Sequence, residues 1–184
     1  MNRLFYGDNL DVLRKHIASE SVDLIYLDPP FNSNRSYNVI FGKHARGRNG
    51  ASAQIQAFGD TWRWTHVTDQ QYQRLTGAGE LPMPAADALM AFHALLGEND
   101  AMAYLVNMAP RLVDLRRVLK PTGSLYLHCD PTMSHYLKIL LDAIFGAERF
   151  RAEITWVLTG RWFPPGRRFA EHRSACRAGP RMVS

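Results

Sequence analysis

The chain has few cysteines and no long hydrophobic run. These two features argue against a disulfide-rich protein and against a membrane-spanning one. Cys129 and Cys176 are the two cysteines among 184 residues. Their spacing indicates neither a disulfide framework nor a metal site, which fits a reducing cytoplasm. No uncharged apolar stretch approaches the roughly 20 residues that span a bilayer, and the first residues lack the apolar core of a secretory signal. We therefore expect a cytoplasmic protein without a membrane partner.

Excess positive charge is also missing from most of the chain, although the net charge is +5. Residues 161–184 contain six arginines and one acid, Glu171, so this segment carries the whole excess. Basic and acidic side chains are equal in number over residues 1–160. Net charge therefore gives no support for a basic nucleic-acid-binding surface on that larger part.

The first part of the chain alternates between strand and helix patterns. Residues 3–6 predict a short strand, and Asp8 or Asn9 could cap the helix that follows. The run Val22–Leu27 is almost unbroken in its apolar character. It predicts a strand buried on both faces, as in a parallel sheet.

A second alternation occupies the later part of the chain. An apolar helical stripe covers residues 102–119, where Pro110 predicts a kink or a break between two helices. Residues 124–128 predict a strand, Asp130 the start of a further helix, and residues 151–158 a fourth strand. The whole pattern predicts an α/β layered fold with a mostly parallel sheet.

Two segments depart from this pattern. Residues 37–98 contain a loop-like stretch, an aromatic cluster with Trp62 and Trp64, and weakly helical pieces. We interpret them as an insertion, or lid, that covers the mouth of the sheet. Residues 159–184 show neither a strand nor a helix period and are rich in Arg, Ala, Gly and Pro. We expect an irregular, Arg-rich tail, whose composition favours a frame-shifted end over an arm that binds phosphate groups.

The tetrapeptide Asp28-Pro29-Pro30-Phe31 directly follows the predicted strand Val22–Leu27. In open α/β sheets, ligands bind beyond the carboxyl ends of the strands. A carboxylate there can accept a hydrogen bond from an exocyclic amino group, a carbonyl held between prolines can accept a second, and the aromatic ring can stack on the base. The lone pair of the amine would then face an electrophilic methyl group. A base reaches such a site by leaving the duplex. A simple strand terminator is the plainer alternative.

These four residues resemble the catalytic signature of DNA methyltransferases that use S-adenosylmethionine to modify N6 of adenine or N4 of cytosine. The similarity extends to residues 6–10 and 125–130, covers roughly residues 2–157, and has the permuted, beta-type motif order. It implies a Rossmann-like class I methyltransferase fold and the tetrapeptide as catalytic residues. It also implies double-stranded DNA with a flipped base as substrate, in restriction–modification, with a restriction subunit or a second copy as partner. The aspartate Asp28 favours adenine N6.

The resemblance also places Asp8 and Asn9 against the adenosine part of S-adenosylmethionine, while helix capping explains the same two residues equally well. No metal site is expected. His128, Cys129 and Asp130 lack the paired ligand spacing of zinc sites. They are better explained by His128 ending a strand and Asp130 capping a helix.

The chain lacks a glycine-rich turn that would let the methionine end of the cofactor approach the backbone. We therefore interpret residues 1–158 as the catalytic part of a methyltransferase domain without its carboxyl-terminal half, and expect a truncated, inactive chain. Two other readings stay open. An RNA or protein amide methyltransferase would use the same chemistry, and a DNA-binding remnant would use none of it.

Overall fold

A computed structural model describes residues 2–29, 36–40, 54–59, 62–156 and 173–178. These residues form five α-helices, six strands and one 3-10 turn. In chain order the elements are α1 (Asn9–His16), β1 (Val22–Leu27), β2 (Ser36–Ile40), β3 (Gln54–Gly59), α2 (His66–Gly77), α3 (Met83–Leu96), α4 (Asp100–Val118), β4 (Leu119–Cys129), α5 (Pro131–Phe145), the 3-10 turn Ala147–Arg149, β5 (Phe150–Trp156) and β6 (Arg173–Ala178).

Four strands form the main sheet, in the order β1-β4-β6-β5. β1 and β4 run parallel, with Leu27 opposite Leu127. β6 runs antiparallel to both β4 and β5. β2 and β3 form a separate antiparallel pair. The α/β layered fold is therefore confirmed, with parallel pairing at the two strands that carry the candidate motifs and antiparallel pairing where β6 joins.

Strand β6 lies inside residues 159–184, for which the sequence predicted irregular structure. That expectation does not hold for residues 173–178. Half of these residues are small (Ser174, Ala175 and Ala178) and none is a large apolar residue, so no sequence pattern marked a strand. The backbone pairs with β4 on one side and β5 on the other, and such pairing can override weak local propensity. The division of the chain near residue 158 stays a prediction.

Residues 3–6 form no strand, which corrects the sequence-based prediction. A strand needs a neighbour for its backbone hydrogen bonds, and no described strand pairs with this segment. Leu4 and Tyr6 are fully exposed. Burial of β1 on both faces is also wrong, because Leu24 and Tyr26 are 59% and 67% exposed. β1 forms one edge of the described sheet.

The long helix α4 is the centre of the hydrophobic core. It contacts α1, α2, α3, α5 and β4. Its fully buried residues are Met102, Ala103, Tyr104, Leu105, Val106, Ala109 and Leu112. Leu125 and Leu127 of β4 and Leu137 and Leu140 of α5 are equally buried and belong to the same cluster. Any group on the exposed side of α4 is therefore held by a rigid support.

Pro110 does not break α4, which continues through it as one helix of 19 residues. Proline has no N–H to donate to the carbonyl four residues earlier, here that of Val106. The Gln71 side chain donates to this carbonyl instead, with Nε2 3.3 Å from the oxygen. A residue from α2 thus satisfies the acceptor that the proline leaves without its usual helical donor.

Helices α2 and α3 are longer than the weak helical patterns in residues 37–98 predicted. The Thr65 hydroxyl caps α2 by accepting from the Thr68 N–H. Tyr72 and His93 stack with ring centroids 4.6 Å apart and join the two helices. Burial, and secondly the charge of Asp69, raise the pKa of the Tyr72 hydroxyl above its usual 10.0, so it stays protonated at neutral pH. The lid role of this segment stays a prediction.

A mostly buried acid, Asp114, fastens α1 to α4. Its two oxygens accept from Arg14 Nε at 2.8 Å and from Arg117 Nε at 2.9 Å. Arg117 also donates to the carbonyls of Leu13 and Ile17 at the end of α1. The end of α1 is thereby held against α4.

None of the helices in the described ranges combines the length and apolar character needed to cross a membrane.

We expect Asp114→Ala to lower the free energy of unfolding by about 1.5–3 kcal/mol, because charge-assisted hydrogen bonds to two guanidinium groups are lost. Asp11→Ala is the control. It removes an acid of α1 whose bond to Lys15 is exposed, and it should cost at most about 0.5 kcal/mol. Urea unfolding followed by circular dichroism measures both values. Equal losses for the two variants would contradict the role of Asp114.

A second stability prediction concerns the proline in α4. Gln71→Leu should destabilise the chain by about 1–3 kcal/mol, because the Val106 carbonyl loses its donor in a buried setting. Gln73→Leu, two residues along the same helix at an exposed position, is the matched control and should change little. Thermal unfolding compares them, and an unchanged midpoint for Gln71→Leu would show that the bond contributes nothing.

Candidate functional site

A cleft of about 410 Å³ opens at the carboxyl end of β1. Four separate parts of the chain line it. They are Leu27, Asp28 and Pro29 at the end of β1, Gly7, Asp8 and Asn9 at the start of α1, Asn107, Met108 and Arg111 on α4, and Trp62 before α2. The structure thus brings the candidate catalytic acid and both candidate cofactor residues to one cavity.

Asp28 is the first residue after β1, and its side chain is 57% exposed. Its Oδ1 atom lies 2.9 Å from Nδ1 of His128. Its Oδ2 atom makes no hydrogen bond with the described residues. Pro29, directly behind it, is buried and cannot donate a ladder hydrogen bond, which ends the strand. Pro30 and Phe31, the other two candidate catalytic residues, lie outside the described residues.

Asp8 is the N-cap of α1. Its Oδ1 atom accepts from the Leu10 N–H at 2.8 Å, and Oδ2 accepts from Arg111 Nη2 at 2.7 Å. Gly7 before it has φ 138°, a left-handed conformation that favours glycine. The capping interpretation is confirmed. The Asp8 side chain is nevertheless 52% exposed and borders the cleft, so it keeps room for a further ligand.

Arg111 links the start of α1 to α4, and the sequence analysis did not identify it. Its side chain is 16% exposed. Besides Asp8, it donates to Oδ1 of Asn9 at 2.9 Å and to the Asn107 carbonyl at 2.7 Å. The spacing of four residues from Asn107 was visible in the sequence. The partners some 100 residues earlier were not, because no local pattern connects α1 with α4.

The group His128, Cys129 and Asp130 serves three different purposes. His128 contacts Asp28, Cys129 is buried, and Asp130 caps α5 by accepting from the Met133 N–H at 3.2 Å. Within the described ranges, no group of three or more His, Cys, Asp or Glu side chains is placed to hold a metal ion.

The two tryptophans occupy different surroundings. Trp62 borders the cleft and lies 6.2 Å from the ring of Tyr104, centroid to centroid. Trp64 packs away from the cleft against Tyr72 and His93. Trp62 therefore offers the cleft an aromatic wall, whereas Trp64 supports the contact between α2 and α3.

The chemistry of the cleft is that of hydrogen-bond acceptors held in place. The exposed carboxylate of Asp28 has one oxygen without a hydrogen bond among the described residues, and the carboxylate of Asp8 is fixed by a guanidinium group. Carboxylates accept hydrogen bonds from amino and hydroxyl groups. The flat ring of Trp62 and the apolar side chain of Met108 border the same space. The cleft therefore suits a planar, amino-bearing ligand.

Sequence comparison matches this chain to known proteins. Residues 22–175 match the sequence model of the N6/N4 DNA methylase family. The Mod subunit of the Type III restriction-modification enzyme StyLTI from Salmonella typhimurium is 28% identical over 157 residues, which are 84% of this chain and 20% of that subunit. The EcoPI Mod subunit of Escherichia phage P1 is 28% identical over 160 residues, 85% of this chain and 21% of the relative.

A shorter match has higher identity. The Type II methyltransferase M.EcaI from Enterobacter cloacae is 47% identical over 53 residues, which are 29% of this chain and 12% of that enzyme. The chain spans about a fifth of the length of the Mod subunits it matches. The family match itself includes β1, Asp28, Arg111 and His128, and it covers well over half of the residues. The chain therefore belongs to the N6/N4 DNA methylase family.

Proposed function

We propose that this chain holds the target base for S-adenosylmethionine-dependent methyl transfer to an exocyclic amino group of DNA, namely N6 of a flipped adenine. The observation that carries the proposal is the Oδ2 atom of Asp28, which makes no hydrogen bond with any described residue. It lies on an exposed carboxylate at the rim of a cleft that also contains Asp8.

The proposed chemistry needs only a positioned acceptor. Asp28 accepts one hydrogen of the base amino group through Oδ2, and the main-chain oxygen beside Pro29 accepts the other. These bonds turn the nitrogen lone pair away from the ring and toward the methyl group, which S-adenosylmethionine supplies as an electrophile. With the cofactor bound, the nitrogen–carbon bond would form as the sulfur–methyl bond of the sulfonium breaks, and its electron pair would stay on sulfur in the neutral thioether that leaves. The methylated amine, now more acidic, would give up a proton that Asp28 is placed to receive.

Base eversion is part of the same proposal. The amino group of a stacked, paired base is not accessible to a carboxylate at a sheet rim, so the base must leave the duplex. Trp62 borders the cleft and offers a flat surface for stacking. The aspartate at position 28 favours adenine over cytosine, following the resemblance of the tetrapeptide.

The relatives suggest where such a reaction takes place. Three of them carry names that describe Mod subunits of Type III restriction-modification enzymes. We therefore propose double-stranded DNA as the substrate and a restriction subunit as the partner, in the cytoplasm. For the cofactor, we propose that Asp8 and Asn9 face its adenosine part, because both border the cleft.

The main test is methyl transfer by the 184-residue chain to duplex DNA. Tritiated S-adenosylmethionine is supplied up to millimolar concentration with protein in excess over DNA. The inactivity expected from the sequence concerns low cofactor concentrations, at which binding is weak; at millimolar cofactor we expect slow transfer to adenine N6. Asp28→Ala should reduce that rate about 10²–10³-fold, the usual cost of losing a positioned polar group at a reacting centre. Asp23→Ala is the control, since Asp23 is an exposed acid at the other end of β1 whose partner is Lys120.

Other outcomes of this assay decide between the alternatives. Methyl groups on cytosine N4 would correct the base. Transfer to RNA or protein in place of DNA would favour an RNA or protein amide methyltransferase. DNA binding by a folded chain that transfers no methyl group at any cofactor concentration would overturn the catalytic proposal and favour a binding remnant.

Cofactor affinity gives a separate prediction. We expect calorimetry to show weak or undetectable S-adenosylmethionine binding by this chain, with no methyl transfer at micromolar cofactor. The reason is the absence of a glycine-rich turn that would let the backbone approach the methionine end of the ligand. Micromolar affinity would contradict this prediction and leave the role of Asp28 untouched.

A further inference from the structure

The pair formed by Asp28 and His128 follows directly from the register of the sheet. Leu27 is the partner of Leu127 across the parallel β1/β4 pair, and Tyr26 is the partner of Tyr126. The next residues on the two strands are Asp28 and His128. Side chains alternate between the faces of a sheet, so these two project on the same face at the same end, 2.9 Å apart.

The two members of the pair differ in their surroundings. The His128 side chain is 18% exposed, whereas that of Asp28 is 57% exposed. His128 belongs to β4, which has neighbours on both sides, β1 and β6. Asp28 belongs to the end of β1 at the edge of the described sheet and is followed by two prolines. His128 is therefore the more constrained side chain, and Asp28 is the one whose position depends on its partner.

The direction of the hydrogen bond follows from the chemistry of the groups. An ionised carboxylate can only accept, so Nδ1 of His128 must carry the proton that lies between the two side chains. The bond occupies Oδ1 of Asp28 and leaves Oδ2 without a hydrogen bond among the described residues. A single rotamer of Asp28 is thereby selected before any ligand arrives, and such preorganisation lowers the cost of reaching the reactive geometry.

We propose that His128 is a positioning residue for methyl transfer, which orients the Asp28 carboxylate so that its second oxygen receives the base amino group. This role rests on the proposed function of Asp28. It assigns to His128 neither substrate contact nor proton transfer.

The pair itself is tested by NMR on the 184-residue chain labelled with ¹⁵N-histidine. The chain has seven histidines, and the His128 signal is identified by its absence from the His128→Asn spectrum. In the unprotonated imidazole we expect the ring proton on Nδ1, and Asp28→Ala should lower the population of that tautomer. A proton on Nε2 in the unsubstituted chain, or a tautomer population indifferent to Asp28→Ala, would overturn the proposal.

The positioning role is tested in the methyl-transfer assay at saturating DNA. His128→Leu should lower the rate about tenfold to hundredfold, the equivalent of one lost charge-assisted hydrogen bond, with unchanged DNA affinity. His128→Asn keeps an N–H donor at the δ position and should recover most of the rate. His135→Leu, which removes an exposed histidine of α5, is the matched control and should transfer normally.

The outcomes separate the two proposals. A normal rate for His128→Leu, or equal losses for His128→Leu and His128→Asn, would show that the histidine does not act through its donor. If the unsubstituted chain transfers no methyl group, the proposed function is wrong and the positioning role falls with it. The NMR signal would in that case still show whether the pair exists.

Discussion

The parallel pairing of β1 with β4 is the constraint on which the rest of the site depends. It fixes which residues stand side by side where the strands end, and it therefore decides that a histidine lies beside Asp28. β4 is in turn held between β1 and β6 and packed against the core through Leu125 and Leu127. A shift of one residue in this register would exchange the faces of the whole strand. The chemistry at the rim thus depends on the hydrophobic pattern inside the sheet.

The opposite side of the cleft is held by a different device. Helix α4 is buried along most of its length, and Arg111 extends from it to both Asp8 and Asn9. A mostly buried guanidinium group that satisfies its donors on three acceptors has little freedom to move. The polar residues at the start of α1 are consequently fixed to the core of the protein even though α1 itself contains no buried residue. One wall of the cleft depends on strand register, and the other depends on a charge network.

Local signals in the sequence predicted local features well. The run Val22–Leu27, the cap at Asp130 and the cap at Asp8 each depend on residues close together in the chain, and the structure confirms all three. Features that depend on distant residues were not predictable in this way. The segment 3–6 has strand propensity but no described partner, and β6 has partners but little propensity. The meeting of Arg111 with Asp8 joins residues 103 positions apart.

Pro110 shows the same limit in one helix. Proline in a helix interior argues for a break when the helix is considered alone. The carbonyl that it deprives of a donor is served by Gln71 from another helix, so the break does not occur. The local rule gives the energetic cost of a proline in an isolated helix, whereas the tertiary neighbours decide whether that cost is offset.

The edge position of β1 has a directional consequence. Its outer backbone groups are unpaired within the described sheet, and Leu24 and Tyr26 remain exposed beside them. A strand that joined this edge in the parallel sense would finish level with Asp28, and its last side chains would enter the cleft. An antiparallel strand would instead begin there and contribute its first residues. The polarity of any strand that paired with this edge would therefore determine which of its residues lie beside Asp28.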